Sequence, residues 1–409
     1  MKTHLLCLIF SLIPLISSPT LASPLLPLPY EGSMTPYPES AIDAPLPEYG
    51  DSLRPVYAQY VARHGARYLS GPGKVKSVKR LIVQAAEAGA LTPLGLRFQR
   101  YLDTVISVNE GHWGELSAVG VAEQKALGKR LNRILPFLRE HRPTLIRSEA
   151  SFVPRAIMTM DQFNHQLALL NDSLHIFTAS GPQNSLLLYF FAADSAYDAY
   201  RSKKHGPWRR DYDEYVAANV SPEPIRRLIG PGLVSDREAQ DLTMDLYGIV
   251  QSDRAYGLPG TGTAYLTPEE WLQCEQASTL IHYLRNTITP LSDVAGRAAS
   301  PLLSRLICQA DSALTKGSPG VDSYFGHAET LLPLLSLMGI VGLPAPHESR
   351  FPQSVADIVP LGANILILYL RSDTGRHYTL IQLNGRTVTP LTPWARQKYD
   401  WLRRISRCR

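Results

Sequence analysis

The chain has 409 residues, of which 44% are apolar and 19% are charged, and this composition excludes a chain that is disordered throughout. It is long enough to bury a core in one large domain or two smaller ones. The 41 basic and 36 acidic residues give a formal charge of +5. Because the positive residues are spread out, with no basic helix carrying interleaved aromatic residues, we expect no nucleic-acid partner.

The first 22 residues have the pattern of a cleaved secretory signal. Lys2 precedes an apolar stretch from Leu5 to Ile16, and small residues surround Ala22. The stretch is short and interrupted by prolines, and no second candidate for a spanning helix follows it. We therefore expect residues 1–22 to be removed, leaving a soluble protein that is secreted or periplasmic, with no stable membrane insertion.

A proline-rich lead-in and a strand come next. Residues 23–50 carry seven prolines, which predicts an extended segment without regular helix or central strand. In "VYAQYVA", residues 56–62, β-branched residues and tyrosines predict a strand that ends at Arg63.

One histidine lies between two arginines where this strand ends. In "VARHGARYLSG", Gly65 allows the chain to leave the strand, so that Arg63, His64 and Arg67 can converge. Guanidinium groups lower the charge repulsion that an imidazole meets when it attacks a phosphate ester. The pattern favours phosphoryl transfer; the alternative is a satisfied core histidine with exposed arginines.

Two further segments repeat a turn-and-helix pattern. "GELSAVGVAEQKALGKRLNRIL" predicts a turn and then a helix, with Ser117 as the N-cap and Pro136 near its end. "TLIRSEASFVPRAIMTMDQF" predicts a strand from Thr144 to Arg147, a polar turn, and a helix from about Arg155.

The middle of the chain is helical in pattern. "TPEEWLQCEQASTLIHYLRN" has a capping box formed by Thr267 and Glu270, with Pro268 at the first helical position. After it, "ETLLPLLSLMGI" predicts a helix, and "NILILYL" and "HYTLIQLNG" predict antiparallel strands across "RSDTGR".

The order of these elements predicts an α/β fold, with a mixed-sheet core flanked by helices and a smaller, mostly α-helical inserted domain. The predicted core comprises residues 51–180 and 312–409, and the predicted insert residues 181–311.

A second histidine precedes a helix near the carboxyl end. Pro333 in "FGHAETLLPLLSLMG" is expected in a first helical turn, so the helix should begin close to Glu329, just after His327. The helix dipole favours the ionised carboxylate, whereas a phosphate dianion and partial burial favour the protonated acid, and we expect the phosphate to dominate. The alternative is that Glu329 only caps its helix.

These segments carry a family resemblance over roughly residues 51–390. "RHGAR" matches the R-H-G-x-R signature of the histidine phosphatase superfamily. "FGHAETLLPLLSLMG" resembles the carboxyl-terminal site of the multiple inositol polyphosphate phosphatases, in the acid phosphatase branch of that superfamily. "GELSAVGVAEQKALGKRL" and "PRAIMTMDQF" resemble its helix segment and its second arginine segment.

The resemblance implies covalent catalysis without a metal or another cofactor. His64 would be the nucleophile that forms a phosphohistidine, and Glu329 would protonate the departing alcohol. The phosphoryl oxygens would be held by Arg63, Arg67, Arg155 and His327, with Arg147 as a nearby competitor for the role of Arg155.

Two basic clusters are candidates for a substrate rim, although each could equally be a solvated face. The first, in "GPGKVKSVKR", comprises Lys74, Lys76, Lys79 and Arg80. The second, in "YRSKKHGPWRR", comprises Arg201, Lys203, Lys204, Arg209 and Arg210.

The resemblance predicts an exported histidine acid phosphatase that hydrolyses inositol polyphosphates such as phytate. The alternatives are a phosphomonoesterase of broad specificity acting on sugar phosphates, a phosphate-ester binding protein without turnover, and a phosphate mutase. Export would permit one disulfide among Cys274, Cys308 and Cys408, in any of three pairings. Their spacing does not indicate a zinc site.

Overall fold

A seven-stranded mixed sheet forms the centre of the protein, in a computed structural model that describes residues 32–317, 319–341 and 354–388. The predicted signal segment and Cys408 lie outside the described residues. The strands are β1 (Leu53–Arg63), β2 (Thr144–Ala150), β3 (Leu174–Ser180), β4 (Gly320–Gly326), β5 (Asn364–Ser372), β6 (His377–Leu383) and β7 (Arg386–Val388).

The sheet is parallel on one side and antiparallel on the other. Its strands lie in the order β3, β2, β4, β1, β5, β6, β7. The first four are parallel, and β5, β6 and β7 each run antiparallel to the preceding neighbour. This arrangement confirms the predicted α/β class, and it places the carboxyl ends of β1, β4 and β2 at one edge of the sheet.

Helices cover both faces of this sheet and extend beyond it. The α-helices of the described ranges are α1 (Glu39–Ile42), α2 (Gly73–Glu87), α3 (Pro93–Asn109), α4 (Ala118–Ile134), α5 (Pro154–Leu170), α6 (Ser185–Leu188), α7 (Phe190–Ala193), α8 (Ser195–Tyr200), α9 (Arg209–Asn219), α10 (Glu223–Ile229), α11 (Asp236–Val250), α12 (Pro268–Asn286), α13 (Val294–Lys316), α14 (Ala328–Leu337) and α15 (Val355–Ile358). None of them has both the length and the apolarity needed to cross a bilayer.

The central strands are buried because helices pack on both sides of them. Leu306 of α13 and Leu331 of α14 share one hydrophobic cluster with Val61 of β1. Leu131 of α4 and Phe163 of α5 belong to a cluster that packs on the other face. Strand β4 is buried at every position, as expected for a strand covered on both faces.

A third hydrophobic cluster contains no strand residue. Phe98 of α3, Leu246 of α11 and Trp271 of α12 pack together in it, and α2 and α10 contribute further side chains. Residues 181–311 form helices and loops and contribute no strand to the sheet. Because α2 and α3 pack with this helical region, the proposed domain boundaries stay a prediction.

Several predicted helix ends are confirmed. The Ser117 hydroxyl caps α4 by accepting the N–H of Gly120. Thr267 and Glu270 form the capping box of α12, which begins at Pro268. These side chains satisfy N–H groups that have no partner within a first helical turn.

Two local predictions are wrong. Residues 39–42 of the proline-rich lead-in form α1, because Pro38 stands at the N-cap, where a missing N–H costs nothing, and no proline interrupts the turn. Pro333 lies in the second turn of α14 rather than the first, since the helix begins at Ala328. The ring is tolerated there although Glu329 loses the N–H that its carbonyl would accept.

Candidate active site

The parallel pairing of β1 and β4 brings the two predicted histidines together. Arg63, the last residue of β1, pairs with Gly326, the last residue of β4. His64 and His327 follow directly, and the backbone N–H of His64 donates to the Gly326 carbonyl at 3.0 Å. Their imidazole centroids lie 5.5 Å apart, so residues 263 positions apart share one buried site.

His64 is held as a neutral imidazole. Its Nδ1 lies 3.0 Å from the Gly65 carbonyl, which can only accept, so Nδ1 carries the proton and Nε2 keeps a free lone pair. Burial and then the charges of Arg155 and Arg67 hold the pKa of His64 well below its usual 6.5. The ring therefore stays unprotonated at mildly acidic pH.

Gly65 is required by close packing rather than by a special backbone angle. A Cβ at this position would lie 3.0 Å from the side chains of Glu123 and Gln124 and 3.2 Å from the Gly120 carbonyl, all on α4. The loop that carries His64 therefore rests directly on this helix.

Arg63 is anchored by distant parts of the chain. Its Nη1 donates to the Ser33 carbonyl at 2.6 Å and to the Val359 carbonyl, and its Nη2 lies 3.6 Å from the Met34 sulfur. Burial lowers the pKa of Arg63 to about 10, so the guanidinium remains charged at neutral pH. Its buried Nε has no acceptor among the described residues.

Arg67 lies in the same cluster and is also incompletely satisfied. Its Nη1 donates to the Tyr68 carbonyl at 2.7 Å, and its Nη2 lies 3.7 Å from the sulfur of Met34. Burial and the charges of Arg155 and Arg63 lower its pKa to about 9. Like Arg63, it has a buried Nε without an acceptor in the described part of the chain.

Arg155 joins the cluster from the first turn of α5, after the end of β2. Its Nη2 lies 3.4 Å from Nδ1 of His327, and its buried Nε has no described acceptor. Because an arginine only donates, Nε2 of His327 carries the proton, and it lies 2.9 Å from the Ser151 hydroxyl. Burial and the charge of Arg155 lower the pKa of His327 to about 3.

The competing candidate, Arg147, points elsewhere. Its Nε and Nη2 each lie 2.7 Å from a carboxylate oxygen of Asp322, which also accepts from the hydroxyl of Tyr57. This bidentate pair satisfies Arg147 within the sheet, so Arg155 is the arginine that β2 and α5 bring to the site.

Glu329 stands in the first turn of α14, as expected. His327 is the N-cap, and its backbone N–H donates to the Thr330 hydroxyl at 3.0 Å. Burial raises the pKa of Glu329, but nearby positive charge, led by that of Arg201, whose Nη2 lies 3.3 Å from Oε1, outweighs it. The net shift is downward, so this carboxylate is ionised without substrate.

Arg201 lies inside the site rather than at its rim, with only 10% of its side chain exposed. Its Nε donates to Oδ1 of Asn286 at 3.1 Å and its Nη1 to the Phe191 carbonyl at 3.2 Å. The guanidinium also lies over the ring of Phe191, with its carbon 5.0 Å from the ring centroid.

The sequence analysis missed two residues of α12, His282 and Arg285. Arg285 donates from Nη2 to the Arg201 carbonyl at 3.0 Å. Burial lowers the pKa of both residues and the charge of Glu329 acts to raise it, so both lie within the electrostatic range of Glu329. Their spacing in "IHYLRN" puts them on one helix face, which was the available signal.

Two residues that hold the loop after His64 were missed as well, Glu123 of α4 and Thr159 of α5. Glu123 accepts the backbone N–H of Tyr37 at 2.6 Å and that of Ala66 at 2.7 Å. The Gly65 N–H donates to the hydroxyl of Thr159 at 3.1 Å. These bonds fix the loop between Arg63 and Arg67, and no motif spacing in the sequence indicated Glu123.

The remaining rim candidates lie on the surface. Lys74 and Lys203 are both exposed, and the ammonium of Lys74 lies against Gly248. Lys79 pairs with Asp103 at 3.1 Å, and the other candidates are exposed: Lys76, Arg80, Lys204, Arg209 and Arg210.

Neither a metal cluster nor a disulfide is present in the described ranges. No group of three or more His, Cys, Asp or Glu residues there could hold a metal ion. Cys274 is buried and free, and Cys308 is exposed and free, so these two cysteines are not paired with each other.

A family model described as the histidine phosphatase superfamily (branch 2) matches residues 56–384. The match spans most of the chain and includes both strand ends that carry the histidines. A search of curated proteins gave no match.

Similar folds occur in several solved structures. The Bifidobacterium longum multiple inositol polyphosphate phosphatase in complex with inositol hexasulfate has a TM-score of 0.73 at 15% identity, covering 89% of this chain and 94% of that one. The phytase from D. castellii has a TM-score of 0.64 at 17% identity, covering 92% and 84%. The apo phytase of Hafnia alvei has a TM-score of 0.53 at 14% identity, covering 88% and 98%. At these identities the likeness establishes the fold.

Proposed function

Because this chain belongs to branch 2 of the histidine phosphatase superfamily, we propose that it is an exported acid phosphatase that hydrolyses inositol polyphosphates such as phytate. The products would be lower inositol phosphates and inorganic phosphate. The proposal combines the family with the charges of the site and with the pattern of a secretory signal in residues 1–22.

One observation carries the phosphatase reaction for this particular site. Arg63, Arg67 and Arg155 each have a buried Nε–H without an acceptor in the described residues, and all three surround His64. A buried charged donor without a partner costs about 1–3 kcal/mol or more. Phosphoryl oxygens would satisfy these donors, whereas a histidine with a purely structural role would not require such a cluster.

The same geometry gives a balanced reaction. Nε2 of His64 attacks phosphorus, the ester P–O bond breaks, and the proton of Glu329 passes to the departing oxygen. Water then attacks the phosphohistidine, the P–N bond breaks, and Glu329 receives the proton of that water. The three arginines stabilise the charge on the phosphoryl oxygens through both steps.

An excess of positive charge supports a polyphosphorylated substrate. In the described part of the site, five arginines stand against two carboxylates, which is more charge than one phosphate ester neutralises. Lys74 and Lys203 would extend this charge at the rim. The arginines are Arg63, Arg67, Arg155, Arg201 and Arg285, and the carboxylates are Glu123 and Glu329.

The test compares initial rates on inositol hexakisphosphate, a sugar phosphate and 4-nitrophenyl phosphate. We expect the highest kcat/KM on inositol hexakisphosphate and a phosphohistidine that rapid acid or base quenching traps at His64. His64→Ala should abolish turnover, while His141→Ala, which alters an exposed histidine, should not. Comparable rates on all substrates would favour broad specificity, and binding without turnover would reject catalysis.

Export is tested separately. When the full chain is produced in a bacterium with a periplasm, we expect the purified protein to begin near residue 23. A protein that retains Met1 and stays in the cytoplasm would contradict this part of the proposal without affecting the chemistry.

A further inference from the structure

The candidate acid is ionised in the structure, although the reaction needs its proton. Oε1 of Glu329 lies 3.3 Å from Nη2 of Arg201, and an ion pair of this kind favours the carboxylate. A group that binds together with the substrate must therefore weaken the ion pair between Arg201 and Glu329 before Glu329 can protonate a leaving alcohol.

Arg201 is not free to swing away. Its Nε and Nη1 are bound to Asn286 and to the Phe191 carbonyl, and its guanidinium lies between the rings of Phe191 and Tyr197. Rotation would break these contacts together. A competing anion that approaches Arg201 in place would weaken the ion pair without that loss.

Two unsatisfied groups beside Arg201 mark where such an anion would bind. Nε of Arg285 and Nδ1 of His282 are both buried and have no partner in the described residues. The two residues are one helical turn apart on α12, and Arg285 donates to the carbonyl of Arg201. We call Arg201, His282 and Arg285 the second anion subsite.

We propose that a second phosphate group, next to the ester being cleaved, binds the second anion subsite and competes with Glu329 for Arg201. Glu329 then takes up the proton that it donates to the leaving oxygen. This inference rests on the proposed function and deepens it. The enzyme would select substrates with adjacent phosphates through the rate of ester cleavage as well as through binding.

The charges around Glu329 are consistent with two separate phosphate-binding places. One phosphate, at His64, would be held by the three arginines with free Nε–H groups, and the other by groups of α12 and the residue after α8. The charged or titratable groups around Glu329, among the described residues, are Arg63, Arg67, Arg155, Tyr197, Arg201, His282, Arg285 and His327.

The test uses two secondary phosphate esters of the same ring, which differ in whether a second phosphate stands beside the ester that is cleaved. Cyclohexyl phosphate has one phosphate, and trans-cyclohexane-1,2-diyl bisphosphate has two adjacent ones. We expect the wild-type protein to cleave the bisphosphate with a kcat at least tenfold higher and to remain active on it to a higher pH. Equal kcat values and equal pH limits would overturn the inference.

Variants then assign the effect to the ion pair. Arg201→Gln keeps an N–H donor for Asn286 but loses the charge, so the preference for the bisphosphate should fall by roughly ten- to a hundredfold. Activity on cyclohexyl phosphate should extend to higher pH, because Glu329 is no longer held ionised. Arg285→Met should also lower the preference, and it should extend that pH limit less than Arg201→Gln does, because Arg201 is the residue paired with Glu329.

The control is Arg297→Gln, which removes an equal charge at an exposed residue paired with Asp293. It should change neither the preference nor the pH limit, and a change in either would overturn the inference. An unaltered circular dichroism spectrum shows that a variant folds, and if Arg201→Gln does not fold, Arg285→Met carries the test. No hydrolysis of any ester would instead reject the proposed function.

Discussion

Replacing Glu123 by glutamine should make the stability of the protein less dependent on pH, although one of the two backbone N–H groups that donate to Glu123 would lose its acceptor. Glu123 is 6% exposed and, among the described residues, has no charged partner within hydrogen-bonding distance. Burial raises its pKa from 4.5 to about 7, against the lowering effects of the Ala66 and Tyr37 N–H groups and of Arg63. The free-energy cost of burying the charge therefore exceeds the stabilisation that the two hydrogen bonds give to the carboxylate.

The magnitude follows from this pKa difference, which corresponds to roughly 3 kcal/mol. Because the folded pKa is raised, the contribution of Glu123 to stability is fully present below pH 4.5 and is lost as pH rises towards 7. Glutamine has nearly the same shape and does not titrate, but its amide has one acceptor oxygen for the two N–H groups. Glu123→Gln should therefore be less stable than the wild type by about 1–3 kcal/mol at pH 4.5. This difference should shift in favour of the variant by roughly 3 kcal/mol between pH 4.5 and pH 8.

The measurement is the free energy of unfolding in urea, followed by circular dichroism at pH 4.5, 6 and 8. Glu123→Ala should be less stable than the wild type at pH 4.5, by about 2–6 kcal/mol, because two buried N–H groups lose their acceptor. Gln124→Met is the matched control, since the amide of Gln124 is buried on the same helix without a described partner, and its effect should not depend on pH. A stability difference between Glu123→Gln and the wild type that stays the same from pH 4.5 to pH 8 would refute the reasoning.

Two further predictions concern the site itself. Glu329→Gln removes the acidic proton and should slow hydrolysis of inositol hexakisphosphate by about 10²–10⁴-fold. Hydrolysis of 4-nitrophenyl phosphate should slow by much less, because its leaving group needs no acid. An equal loss on both substrates would reject the donor role. The free energy of unfolding should fall as pH is lowered from about 6.5 towards 3, because the unfolded chain protonates His327 while the folded one holds its pKa at about 3. In His327→Gln the free energy of unfolding should fall less steeply with decreasing pH, by up to about 1.4 kcal/mol per pH unit. Saturating phosphate should reduce the slope in the wild type. An identical slope in variant and wild type would contradict the buried neutral imidazole.

The strands and the two histidines could be predicted because their signals are local. The strand before Arg63 and the helix after His327 are visible as runs of apolar residues, and family resemblance related the two motifs. Parallel pairing of β1 with β4 then sufficed to bring His64 and His327 together. The edge strand β3 gave no clear signal, since most of its residues are exposed.

The other side of the site could not be predicted because its contacts are long-range. Arg201 lies 128 residues before Glu329, and the sequence presented it as one member of a basic surface cluster. His282 had no metal-ligand spacing, and Arg285 had no motif at all. Their roles depend on how α12 packs beside the start of α14, which side-chain patterns within one helix do not specify.

Arg63 connects the start and the end of the described chain, since it donates to carbonyls of Ser33 and Val359. During synthesis this arginine cannot reach its final partners until nearly the whole polypeptide has emerged, so catalytic competence should be among the last properties to appear. Proteolytic removal of the segment that ends with Ser33 would likewise abolish activity without removing any group that contacts the substrate. Activity therefore reports whether the segments that contain Ser33 and Val359 are both packed against Arg63.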